Sequence, residues 1–105
     1  AVFVTSGLAH KCWAYWGPYS ISKAALEAMV KTYAAEIETT ALRANCFSPG
    51  ATRTKMRATA MPGEDPESLP HPDDVAAQIV PMCLPDFTDN GAVYKFAPEG
   101  LFKQF

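Results

Sequence analysis

The stretches AVFVTSG at positions 1–7 and YSISKAALEAMVKTYAAEI at positions 19–37 decide the fold of this chain. Residues 1–4 form a short apolar run of β-branched and aromatic side chains, which is typical of a strand buried on both faces of a parallel sheet. Over residues 19–39, apolar side chains spaced i, i+4, i+7 and i+11 predict a helix with one apolar stripe, formed by Leu26, Val30, Tyr33 and Ile37. A buried strand that leads into such a helix indicates an α/β protein.

The rest of the chain repeats this alternation. Residues 42–47 are predicted to form a second strand, and residues 92–96 a last one. A second helix is predicted to start at Pro72, because proline suits a first helical turn, and Pro81 is expected to kink or end it. Residues 52–72 are polar and rich in proline, and they predict a long excursion or lid with a short helix near residues 55–60.

Composition limits the possible partners. The chain has 105 residues, enough for one domain or part of one, and its net charge of -2 gives no reason to expect nucleic acid or an anionic membrane as a partner. No apolar run approaches the roughly 18 residues that a membrane span requires. The cysteines and histidines lack metal-site spacing, so no metal is predicted, and the odd number of thiols suits a reducing cytoplasm. Cys46 lies in an apolar stretch and is expected to be buried.

The helix predicted over residues 19–39 carries a second apolar face, formed by Ile21, Ala25, Ala28 and Met29. If the first face packs on the sheet, the second is free to pack on another subunit. We therefore expect a homo-oligomer, a dimer or a tetramer, assembled through this helix. The chain also opens at Ala1 inside an apolar strand, so we expect further sequence upstream of it.

Tyr19 and Lys23 lie one turn apart at the start of this helix, so they share a face. A free phenol exchanges protons poorly at neutral pH, but a neighbouring ammonium group favours the phenolate form. The pair is therefore a candidate general acid/base. The alternative is an amphipathic helix in which the two residues have no catalytic role.

Ser6 lies thirteen residues before Tyr19, where the first strand ends. Open α/β sheets bind ligands at the carboxyl ends of their strands. A hydroxyl at this position can hydrogen-bond a substrate oxygen, or it can simply cap the exit from the strand.

Several motifs resemble the short-chain dehydrogenase/reductase family. Ser6 and the segment YSISKAAL at 19–26 resemble the active-site segment of that family, and the segments LRAN at 42–45 and SPGATRT at 48–54 resemble its Arg-Val-Asn and Pro-Gly-x-x-x-Thr segments. Residues 74–76 resemble its late helix, and residues 88–91 its Thr-Gly turn. Residues 52–58 with 62–66 further resemble a bacterial subgroup of largely uncharacterised oxidoreductases.

The resemblance implies a Rossmann-like, doubly wound parallel sheet in three layers (α/β/α), of which this chain would be the C-terminal part. It implies NAD or NADP as cofactor and a small-molecule alcohol or carbonyl as substrate. The catalytic residues would be Ser6, Tyr19 and Lys23. The residues implied for cofactor binding are Tyr19, Lys23, Pro49, Gly50, Thr52 and Thr54.

The glycine fingerprint Gly-x-x-x-Gly-x-Gly does not occur in the chain. We therefore expect residues 1–105 to be the C-terminal catalytic half of one domain, without the nucleotide-binding half and inactive in isolation. Two alternatives stay open: a truncated, non-catalytic fragment that acts as an association module, and an epimerase or dehydratase of the same family. The basic side chains of residues 53, 55 and 57 either steer a charged substrate or belong to a solvated lid.

Overall fold

The computed structural model describes all 105 residues. Its strands are β1 (Val2–Val4), β2 (Asn45–Ser48), β3 (Val93–Lys95) and β4 (Phe102–Lys103). Its α-helices are α1 (Gly17–Glu36), α2 (Lys55–Ala60) and α3 (Pro72–Ala77). Three 3-10 helices lie between them, at Gly7–Ala9, Pro66–Ser68 and Val80–Cys83.

The strands form one sheet in the order β1-β2-β3-β4. β1 and β2 pair in parallel, as do β2 and β3, with Phe3 opposite Cys46 and Cys46 opposite Val93. β4 pairs antiparallel with β3. Because α1 connects β1 to β2, and α3 lies between β2 and β3, the predicted alternation of strands and helices is confirmed.

Helices cover both faces of the sheet. On one face, Phe3, Cys46 and Val93 pack with Val30 and Ile37 of α1. On the other face, side chains of the strands meet α3 and the last 3-10 helix in a cluster that contains Val2, Phe47, Val75, Ile79, Met82 and Tyr94. The predicted three-layer α/β/α arrangement is therefore confirmed, and so is the burial of Cys46, which is 1% exposed.

The second strand begins at Asn45, three residues later than predicted. The prediction that it starts at Leu42 was wrong because backbone amides before Asn45 donate hydrogen bonds to side chains and not to a neighbouring strand. The Leu42 amide donates to the Thr40 hydroxyl at 3.1 Å, and the Ala44 amide donates to Oδ1 of Asn90 at 2.9 Å. A backbone amide that donates to a side chain does not pair with a neighbouring strand.

The second predicted helix is also shorter than expected. α3 ends at Ala77, and Pro81 lies in the first turn of the 3-10 helix that follows. A proline there needs no amide donor, so it is accommodated instead of producing a kink. β4 was not predicted, since residues 102–103 give too short a pattern to indicate a strand.

A polar cluster joins β4 to the loop before β3. The Asp89 carboxylate accepts a hydrogen bond from the Tyr94 hydroxyl and pairs with Nζ of Lys103 at 3.2 Å. These two donors hold the pKa of Asp89 below its ordinary value. Burial, with the hydrogen bond to the Asp89 carboxylate, raises the pKa of Tyr94 to about 12.

α1 spans Gly17–Glu36, so it begins and ends slightly earlier than the predicted range 19–39. Val30 and Ile37 of the predicted inner stripe are buried, whereas Tyr33 is 40% exposed. On the second apolar face, Ile21 is 70% exposed and Met29 51% exposed, so within one chain nothing covers this face. Its role in assembly stays a prediction. None of the helices combines the length and the apolar character needed to cross a membrane.

Candidate active site

The predicted site residues lie around the carboxyl ends of β1 and β2. Ser6 follows β1 after one residue, and Pro49 follows β2 directly. Since β1 and β2 are parallel, both segments leave the sheet at the same edge. This is the edge at which open α/β sheets bind ligands.

Ser6 is the N-cap of the first 3-10 helix. Its hydroxyl oxygen accepts a hydrogen bond from the Leu8 amide at 3.2 Å. The structure thus contains the capping contact considered as the alternative to a substrate contact. The two roles are compatible, because a hydroxyl that accepts one hydrogen bond keeps its own hydrogen for donation.

Tyr19 and Lys23 lie in the first turns of α1, which has Pro18 near its start. The Lys23 ammonium donates to the Val4 carbonyl oxygen at 3.1 Å and lies 5.8 Å from the centroid of the Tyr19 ring. Trp16 packs edge-on against the Tyr19 ring, with centroids 5.8 Å apart. The tyrosine and the ammonium group are therefore held side by side at the carboxyl end of β1.

The turn after β2 has the open backbone that a bound cofactor requires. Gly50 has a φ of 69°, and no heavy atom lies within 4 Å of the position a Cβ would take. This left-handed conformation favours glycine, and the vacant space allows a ligand to approach the main chain closely. The nicotinamide end of a dinucleotide fits these residues in chemical terms.

Thr52 and Thr54 follow in the same turn. The Thr52 hydroxyl donates to the Gly50 carbonyl at 3.3 Å, and the Thr54 hydroxyl caps α2 by accepting from the Arg57 amide at 3.1 Å. Each hydroxyl therefore stabilises the turn through a local hydrogen bond. The Thr54 hydroxyl hydrogen remains available to donate a hydrogen bond to an anionic oxygen of a ligand.

The two arginines of the lid are engaged within it. The Arg57 guanidinium donates to both carboxylate oxygens of Glu64, at 2.8 and 3.0 Å, and this hydrogen bonding lowers the pKa of Glu64 and raises that of Arg57. Arg53 donates to the carbonyl oxygens of Pro66 and Leu69. These contacts support the solvated-lid interpretation of residues 52–72 over steering of a charged substrate by Arg53 and Arg57.

The loop between Ser6 and Tyr19 exposes aromatic side chains. Trp13 is 51% exposed, and Tyr15 is fully exposed with a φ of 71°. A positive φ at a non-glycine residue is uncommon, and such strained positions cluster near functional sites. Both side chains are free to contact a substrate or a further segment of protein.

One group near the site was missed by the sequence reasoning. Glu27 is a buried carboxylate on α1, one turn after Lys23, and it contacts Thr5 and His10 on either side of Ser6. The available signal was its spacing, since Tyr19, Lys23 and Glu27 stand at i, i+4 and i+8 on one helical face.

A surface depression lies away from these residues. It has a volume of about 420 Å³ and is lined by polar side chains that include Lys31, Arg43 and Asn90. It borders the loops that precede β2 and β3, at the amino ends of these strands. We do not assign it to the reaction, because ligands of such sheets bind at the carboxyl ends.

Comparison with known proteins identifies the family. A family model described as enoyl-(acyl carrier protein) reductase matches residues 1–80. The uncharacterised oxidoreductase YciK of Escherichia coli K12 is 46% identical over 74 residues, which cover 70% of this chain and 29% of that protein. An NADPH-dependent aldehyde reductase of Arabidopsis thaliana is 43% identical over 54 residues, 51% of this chain and 20% of that protein.

Solved structures agree with this. A short chain dehydrogenase from Salmonella enterica serovar Typhi superposes with a TM-score of 0.80 at 37% identity, over 90% of this chain and 39% of that one. A short chain dehydrogenase from Escherichia coli CFT073, solved in complex with NADPH, gives a TM-score of 0.79 at 38% identity, over 90% of this chain and 39% of that one. The chain thus spans less than half the length of these relatives, and it belongs to the short-chain dehydrogenase/reductase family.

Proposed function

We propose that residues 1–105 form the C-terminal catalytic half of an NAD(P)-dependent oxidoreductase that interconverts an alcohol and a carbonyl compound. The observation that carries the proposal is the position of Lys23 beside Tyr19. The Lys23 ammonium donates a hydrogen bond at the end of β1, close in sequence to Ser6. The NADPH bound by the Escherichia coli CFT073 relative supports the cofactor class.

In the proposed reaction, the bound nicotinamide supplies or accepts the hydride at the substrate carbon. When a carbonyl is reduced, the Tyr19 hydroxyl gives its proton to the substrate oxygen, and when an alcohol is oxidised the phenolate takes that proton back. The Lys23 ammonium stabilises the phenolate through its positive charge. Ser6 donates its free hydroxyl hydrogen to the same substrate oxygen and so holds it in place.

For the cofactor, we propose that Lys23 hydrogen-bonds the nicotinamide ribose and that residues 49–54 line the nicotinamide and pyrophosphate end. The open, left-handed backbone at Gly50 and the unused hydroxyl hydrogen of Thr54 support this assignment. Binding of the adenosine end would require the nucleotide-binding half of the domain.

The test uses the full-length protein that contains this chain. Oxidation of NADPH and NADH is followed with a panel of aldehydes and ketones, and reduction of NADP and NAD with a panel of alcohols. Tyr19→Phe is expected to lower kcat by about 100- to 10,000-fold, because it removes the hydroxyl group that carries the transferable proton and keeps the ring. Tyr33→Phe changes an exposed tyrosine on the same helix and should leave kcat unaltered. Equal activity of the two variants would refute the role of Tyr19.

A second candidate function follows from the outer face of α1. We infer that a chain without the nucleotide-binding half would be inactive and would associate through this face, on which Ile21 and Met29 are exposed. In the complete protein the same face would form a homo-oligomer. Ultracentrifugation of the full-length protein and of Ile21→Glu tests this: the substitution should shift a dimer or tetramer towards monomers. An unchanged sedimentation coefficient would contradict it.

A further inference from the structure

The carboxylate of Glu27 is buried, and no step of the proposed reaction uses it. Only 3% of the residue is exposed. Its Oε2 accepts a hydrogen bond from the Thr5 hydroxyl at 2.5 Å, and its Oε1 lies 2.8 Å from Nε2 of His10. Because a carboxylate can only accept, Nε2 of His10 carries the hydrogen in this contact.

These two partners flank the Ser6 segment. Thr5 immediately precedes Ser6 and is itself 2% exposed, while His10 follows the 3-10 helix that Ser6 caps. Glu27 therefore holds both ends of the segment 5–10. The segment is also fixed to the sheet, since the Thr5 amide donates to the Phe47 carbonyl at 2.9 Å.

The same helical face carries the candidate acid/base pair. Tyr19, Lys23 and Glu27 follow one another at intervals of one turn, and Lys23 donates to the carbonyl of Val4, the residue before Thr5. α1 is thus attached to two consecutive residues at the end of β1, by Lys23 at Val4 and by Glu27 at Thr5. Together these attachments define where Ser6 lies relative to Tyr19.

We propose that Glu27 is a positioning residue, which through Thr5 and His10 holds the Ser6 segment in register with Tyr19 and Lys23. This inference rests on the proposed function, and it assigns Glu27 no contact with substrate or cofactor. A buried carboxylate is costly to desolvate, and an apolar side chain of similar size would often be equally stable. An apolar side chain would not bind two donors on opposite sides of Ser6.

The test compares Glu27→Gln with Glu36→Gln in the full-length protein; Glu36 is an exposed acid on the same helix. Two properties are measured: kcat and KM with NADPH and carbonyl substrate, and hydrogen–deuterium exchange of residues 5–10. For Glu27→Gln we expect kcat to fall by about 10- to 100-fold with KM for NADPH nearly unchanged, since small misplacements of reacting groups have effects of this size. Exchange in residues 5–10 should accelerate by about 10- to 100-fold, because a hydrogen bond to a charged group is lost.

Thr5→Val provides a second variant, which removes one hydrogen bond of the network and leaves α1 intact. It should reproduce both effects in weaker form, whereas Thr32→Val, at an exposed threonine of α1, should reproduce neither. Wild-type kcat together with wild-type exchange in the Glu27→Gln protein would overturn the proposal. So would failure of both Glu27→Gln and Thr5→Val to fold, since the network would then serve stability alone. If the wild-type protein reduces no substrate, the proposed function fails, and the exchange measurement still decides whether Glu27 positions the segment.

Discussion

The thiol of Cys46 gives the most sharply defined test of the fold. Burial in the core between α1 and the sheet, with the nearby negative charge of Glu27, raises the pKa of this thiol from 9.0 to about 11. A thiol with a pKa of about 11 has about 100-fold less thiolate at pH 8 than one with a pKa of 9.0. Because the thiolate is the reactive form, and because the side chain is only 1% exposed, alkylation of Cys46 should be at least 100-fold slower than that of an exposed cysteine.

Cys12 and Cys83 provide internal controls, because both are free and exposed. The protein is treated with iodoacetamide at pH 8, and the modification of each cysteine is followed over time by peptide mass spectrometry. Cys12 and Cys83 should react at rates typical of exposed thiols, and Cys46 should react at that rate only after unfolding in urea. Alkylation of native Cys46 within tenfold of the rate of Cys83 would refute the placement of this residue in the core.

The raised pKa of Cys46 also makes the stability of the protein depend on pH. Since the pKa of Cys46 is higher in the folded state than the unfolded value of 9.0, the folded state favours the protonated thiol. The stabilisation that the protonated thiol provides is therefore complete below pH 9 and is lost as the pH rises towards about 11. Its size is at most about 3 kcal/mol. Cys46→Ser should show a different slope of stability against pH in this range.

Three further outcomes are expected. Val30→Ala, in the core between α1 and the sheet, should destabilise the protein by about 2 kcal/mol through lost burial and a cavity. Val80→Ala, at an exposed valine outside α1, should change stability by less than about 0.5 kcal/mol, and thermal unfolding measures both. Because hydrogen bonds lower the pKa of Asp89 in the folded state, the free energy of unfolding of the wild type should fall as the pH drops below about 3.8. In urea titrations at several pH values, Asp89→Asn should show a smaller loss of stability over the same range. Glu64→Gln should loosen the lid by weakening its contact with Arg57, so trypsin should cleave after Arg57 faster than in the wild type, and an unchanged rate would contradict that role.

Local patterns in the sequence determined much of this architecture. The apolar run before Thr5 and the 3.6-residue period of α1 are properties of single segments, and both elements lie where they were expected. The bounds of α2, Lys55–Ala60, coincide with the short helix predicted there. The pairing of Tyr19 with Lys23 was also predictable, because residues four apart on a helix are neighbours whatever surrounds them.

Contacts between distant segments decided the rest. The start of β2 depends on the Asn90 side chain, which lies 46 positions beyond the Ala44 amide that donates to it. Likewise β4 forms only through its antiparallel pairing with the edge of β3.

The candidate site divides in the same way. Ser6, Tyr19 and Lys23 are marked by spacing along the chain, whereas the bond from Thr5 to Glu27 spans 22 positions and joins a strand end to a helix. The sequence alone was enough to nominate Tyr19 and Lys23 as the candidate pair for proton exchange. The spacing of Glu27 after Lys23 placed it on the same helical face, but only the tertiary structure showed that its carboxylate is buried against Thr5 and His10, because that burial results from packing α1 against the end of β1.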